Sequence, residues 1–110
     1  QLLNQITLNT TIMFGQITNK KGENLYILTS VSTNDIKPYF HVDTWERCKE
    51  LFTKMTIKQD DDNFFAQLIH KKLNDELGTA EASIRCNKKG WGSDFFRYIT
   101  IEPLYTQAWE

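Results

Sequence analysis

The sequence predicts an α+β domain: a small antiparallel sheet of two hairpins, in the order β-β-β-α-α-β-β, with two central helices packed on one face. Three observations predict it. Apolar and β-branched residues alternate near both ends of the chain, the middle carries apolar residues at helical spacing, and polar glycine-containing turns separate these segments.

The first strand is expected over residues 11–18, Thr-Ile-Met-Phe-Gly-Gln-Ile-Thr, and the polar run from Asn19 to Asn24, with Gly22 inside it, reads as a turn. Residues 25–31 alternate, with Leu25, Ile27, Thr29 and Val31 on one side and Tyr26, Leu28 and Ser30 on the other, so the two segments are expected to form an antiparallel hairpin. After a connection ending at Pro38, residues 39–42 (Tyr-Phe-His-Val) read as a short extended segment, because the residue before a proline is pushed away from helix.

Asp43 and Glu46 have the spacing of a capping box, and Trp45, Cys48, Leu51, Phe52 and Met55 then share one helical face. A second helix is expected next. Asp60, Asp61 and Asp62 suit its positive end, Phe64, Phe65, Leu68, Ile69, Leu73 and Leu77 form its apolar stripe, and Gly78 suits its stop. Ala82, Ile84 and Cys86 alternate with Ser83 and Arg85 in a further strand. In the last strand Phe95, Arg97, Ile99 and Ile101 oppose Phe96, Tyr98 and Thr100, and Pro103 ends it. The tail from Leu104 has no period.

Residues 1–110 fit one domain, too short for two cores, and the opening Gln1 reads as a processed chain or part of a longer one. Charged residues make up 25% of the chain, and thirteen Lys and Arg stand against fourteen Asp and Glu. This excludes a disordered tail and gives no overall basic field to gather nucleic acid. Cys48 and Cys86 are too few for a disulfide framework and read as small buried hydrophobes, with a single disulfide the other reading; an intracellular setting follows. Asn9-Thr10-Thr11 matches a glycosylation triplet, of a kind that arises often by chance.

No catalytic, cofactor or metal site is expected. The cysteines fall on apolar stripes, Gly90-Trp91-Gly92 lacks the helix that would cradle a phosphate, and the run from Asp60 lacks the glycine and glutamate of a calcium loop. His41-Val42-Asp43 is an alternating pair of potential ligands without a second pair, and it would be the only acid–base candidate.

One constellation stands out. Arg85, Lys88, Lys89 and Arg97 are interleaved with Trp91, Phe95, Phe96 and Tyr98 and opposed only by Asp94. Aromatic residues and arginine anchor protein interfaces, and three Trp, four Tyr and seven Phe exceed what this core needs. The expected function is therefore a non-enzymatic interaction domain, a module of a larger assembly. It would bind a protein partner, or itself as a homodimer, through Arg85, Lys88, Lys89, Trp91, Phe96, Arg97 and Tyr98. The alternative is a single-stranded nucleic-acid binder, with the cations on phosphates and Trp91, Phe96 and Tyr98 stacking on bases, Arg85, Arg97 and Tyr98 sharing one face.

Overall fold

A computed structural model of the chain describes residues 15–56, 59–60, 64–88, 90 and 92–105, with the backbone alone described at 59, 60 and 64. Its elements are β1 (Leu25–Ser32), β2 (Tyr39–Thr44), α1 (Trp45–Met55), β3 (Gln59–Asp60), β4 (Phe64–Asn74), β5 (Thr79–Lys88) and β6 (Phe95–Pro103). All six strands join one antiparallel sheet in the order β2-β1-β6-β5-β4-β3. The last four strands form a meander, and β6 returns to lie beside β1.

The expected pair of central helices is not there. α1 is the one helix among the described residues, and the segment assigned to the second helix is the long strand β4. The reason lies at Ile69. Leu68 pairs with Ile84 and His70 with Ser83, so Ile69 is an extra residue in a bulge. Before it Ala66 and Leu68 lie on the helix side of the sheet; after it Lys71 and Leu73 do. The step from 68 to 71 imitates a helical interval, and the two halves of one strand merge into a false helical stripe. Leu68, Ile69, Leu73 and Leu77 are all exposed, as residues of a packed helical stripe would not be. Gly78, expected to stop that helix, closes the β4–β5 turn with φ of 68°.

The opening hairpin is also corrected. β1 pairs with β2 and β6, while Gln16 and Thr18 make only isolated bridges, to Tyr105 and Asn24; residues 11–14 and Asn9 lie outside the described residues. The turn after them forms as expected, with Asn19 Oδ1 accepting the amides of Lys21 and Glu23 and Gly22 at φ of 82°.

α1 begins one residue later than the Asp43–Glu46 spacing suggests. Thr44 is the N-cap, its hydroxyl accepting from the Arg47 amide, while the Asp43 carboxylate accepts the Thr44 amide at 2.8 Å. The helix packs on β1, β2 and β6. It sets Cys48 and Phe52, both fully buried, against Leu28, Ile99 and Ile101; Ala80, Ala82, Ile84 and Cys86 extend the same core along β5. Both cysteines are free buried thiols, and burial raises their pKa, so neither is a ready nucleophile.

Asp75, in the β4–β5 turn, ties that turn to the helix. Its Oδ1 accepts from the Trp45 indole at 2.9 Å and from Lys49 Nζ at 3.0 Å. The Lys49 ammonium, then the indole N–H, hold the Asp75 carboxyl below its ordinary 3.8. A depressed carboxyl contributes stability that is full above the unfolded value and is lost as pH falls through the folded one. Asp75→Asn is expected to flatten the acid limb of stability below about pH 4, read as urea midpoints at successive pH values. Both partners reach solvent, so the effect shrinks in high salt.

Candidate functional site

The helix covers one side of the sheet, and strand alternation sends the other residues to the opposite side. That open side carries Phe40 and Val42 from β2, Ile27, Thr29 and Val31 from β1, and Phe96, Tyr98 and Thr100 from β6. The register makes them neighbours: Val42 lies opposite Ile27, Phe40 opposite Thr29, and Val31 opposite Tyr98. Phe40 is 57% exposed, and Val42, Tyr98 and Val31 lie between 43% and 46%. Large apolar groups that remain this accessible on three adjacent strands form one continuous patch. No element among the described residues packs over it. Towards β5 and β4 the face turns polar, with Glu81, Lys72 and His70.

Arg85 bounds the patch. It lies opposite Phe96, its Nε is 3.6 Å from Asp94 Oδ2, and its guanidinium stands 5.9 Å from the Phe65 ring centroid. Asn87 donates to the other Asp94 oxygen at 2.6 Å, which fixes the carboxylate. Phe96 is fixed by its backbone, whose amide donates to Thr33 Oγ1 while its carbonyl accepts the Thr33 amide, both at 2.9 Å.

The residues singled out from the sequence divide between the two sides. Arg85, Phe96 and Tyr98 share the open face. Arg97 does not, contrary to the expectation that Arg85, Arg97 and Tyr98 stand together, because neighbours in a strand point to opposite faces. It lies opposite Ile84 and Ser32 and lines a groove of about 320 Å³ beside α1, with Asp35, Lys37, Tyr39 and Met55. Lys88 ends β5 on the helix-side alternation, opposite Phe64. Lys89 and Trp91 lie outside the described residues. Sequence reasoning missed Phe40, Val42 and Val31 as members of a site, although the alternation of Phe40 and Val42 with His41 and Asp43 carried the signal.

His41 and Asp43 do come together on the helix side of β2, with His41 Nε2 at 3.2 Å from Asp43 Oδ2. The Thr44 amide, more than any other contact, lowers the Asp43 pKa; His41 and Arg47 add to it. Arg47 Nε is 3.9 Å from the same oxygen and competes for the charge a metal would need. Among the described residues no three His, Cys, Asp or Glu side chains gather as a metal site, and residues 61 and 62 are outside them. Nor does the pair face a nucleophile: the Cys48 thiol is buried and donates to the carbonyls of Tyr26 and Asp43 at 3.8 and 3.7 Å.

No helix among the described residues is long and apolar enough to cross a membrane. Comparison with protein-family models, curated proteins and solved structures finds no match to this chain.

Proposed function

We propose that this chain is a non-enzymatic interaction module that contacts a protein partner through the open face of its sheet. The supporting observation is the exposed apolar patch of Phe40, Val42, Val31 and Tyr98 across three adjacent strands, with Arg85 held at its margin. A patch of this kind gains from leaving water only when another apolar surface meets it. Tyr98 and Arg85 are the residue types that anchor such contacts, and Arg85 is pre-oriented by Asp94 and Phe65, which lowers the entropy lost on binding.

The second reading is single-stranded nucleic acid, favoured by Arg85 sharing the face with Phe96 and Tyr98. The placement of Arg97 on the far side and of Glu81 and Glu102 on the near one weighs against it. Fluorescence anisotropy of a labelled mixed-sequence single strand, at low and near-physiological salt, separates the two readings. The protein-contact reading predicts no saturable binding at tens of micromolar protein. Saturable binding that falls log-linearly with salt and is lost in Arg85→Ala would overturn it.

A further inference from the structure

The outer edge of β2 carries a self-complementary set of backbone groups, and their direction follows from the hydrogen bonds of β1. The Leu25 amide donates to Ile17 and the Leu25 carbonyl accepts from Leu104, both on the β6 side; at the other end the Thr33 amide donates to Phe96 of β6. Odd positions of β1 therefore bond towards β6. Even positions, Tyr26, Leu28 and Ser30, bond towards their β2 partners Asp43, His41 and Tyr39. What remains in β2 is Phe40 and Val42, whose N–H and C=O groups point away from the sheet.

Two features bound this stretch. Pro38 has no N–H to offer, and the Thr44 amide is already taken by Asp43 Oδ1. Among the described residues, the unpaired edge is thus limited to Tyr39–Asp43, centred on His41. Within it there is no lysine, no proline and no bulge, and its one carboxylate, Asp43 at the end of the stretch, is taken up by the Thr44 amide and His41 of the same subunit, so the usual blunting of an exposed edge is slight.

We infer that β2 pairs with β2 of a second copy of this chain, antiparallel about a two-fold axis at His41. This register sets Phe40 opposite Val42 of the partner subunit at both ends. All four outward groups of each copy are then used, in four hydrogen bonds, and a fifth is available to neither. On the open side the pairing places an aromatic against a β-branched residue twice, a favourable cross-strand pair. On the helix side Tyr39 falls opposite a carboxylate, Asp43 of the partner subunit, which its hydroxyl can donate to. Room exists for both helices. α1 packs on β1, β2 and β6, and the two β1 strands would be three strand spacings apart, about 14 Å, against the 8–10 Å of helices in contact. The pairing also joins the apolar patches of the two copies into one surface, so a partner of the open face would meet a doubled patch. The edge is distinct from that face, and the two proposals fail separately.

The test is sedimentation of the full chain over micromolar to submillimolar concentration, with three variants. Val42→Pro deletes an amide that points away from the sheet and has no partner among the described residues, so the fold remains and the dimer weakens on the order of tenfold or more. Tyr98→Ser alters the open face and leaves the dimer unchanged. His41→Cys gives a covalent dimer on mild oxidation, because a directly opposed non-hydrogen-bonded pair has Cα atoms about 4.5 Å apart, within disulfide reach, whereas Lys72→Cys does not. The cross-link holds the proposal to account even if Val42→Pro fails to fold. A wild-type chain that stays monomeric throughout, or a His41→Cys chain that cross-links no faster than Lys72→Cys, would overturn it. A dimer lost in Tyr98→Ser and kept in Val42→Pro would show face pairing in its place.

Discussion

Phe52→Ala is expected to cost about 3–5 kcal/mol, the range for removing a buried aromatic ring. Phe52 is the largest of the fully buried side chains, and it stands one helical turn from Cys48 on the face that α1 presents to the sheet. The helix is the one lid over Leu28, Ile99 and Ile101 among the described residues, so no neighbouring element can collapse into the space. The Lys71 ammonium, 5.7 Å from the ring centroid, loses its aromatic partner in the same change and is left against an apolar cavity. Domains of this size are stable by about 5–15 kcal/mol, so the variant would be marginal at best. Urea denaturation should show a lower midpoint with an unchanged slope. A loss below about 1 kcal/mol would mean that α1 does not seal the core.

Gly78→Ala carries the second large effect, and it has two separable causes. Gly78 has φ of 68°, where a Cβ costs about 1–2 kcal/mol. That Cβ would also fall inside contact distance of Tyr26 Cε2, and 3.1 Å from its Cζ and hydroxyl oxygen. The Tyr26 ring cannot simply swing away, since it packs at 5.3 Å on Trp45, whose indole is in turn held by Asp75. Overpacking adds about 1–3 kcal/mol. Gly22 supplies the comparison: φ is 82° and nothing lies within 4 Å of an added Cβ, so Gly22→Ala carries the conformational cost alone. Gly78→Ala should therefore destabilise more than Gly22→Ala by the cost of displacing Tyr26, measured as the difference between their urea midpoints. Equal losses would mean that the Tyr26–Trp45 pair yields freely.

These two positions also mark how far the fold was legible in the sequence. The period of two in residues 25–31, 82–86 and 95–101 assigned Leu28, Ile84, Cys86, Ile99 and Ile101 to common faces, and those are the residues that make the core. A strand that keeps one register announces itself, because every second residue meets the same environment. β4 does not keep one register. Its bulge at Ile69 is set by pairing with β5, a partner distant from any local window, and it converts alternation into apparent helical spacing. Gly78 then took on the role of a helix stop, although a left-handed glycine serves a hairpin equally well.

The candidate site was legible in part for the same reason. Arg85, Phe96 and Tyr98 have the right parity for one face, and the same parity separates Arg97 from Tyr98. The contribution of Phe40, Val42 and Val31 depended on β6 returning beside β1, a non-local pairing that no single segment encodes.

The measurement that tests the open face most directly is site-specific photo-cross-linking in the cells that make this protein. A photoreactive amino acid is placed at Tyr98, and separately at Glu46, an exposed residue of α1 on the side away from the β2 edge. Contact through the open face predicts a discrete adduct of one size from position 98, lost when Phe40 and Val31 are both changed to Asp, and none from position 46. Adducts from both positions alike, or an adduct from 98 that survives the double substitution, would contradict it.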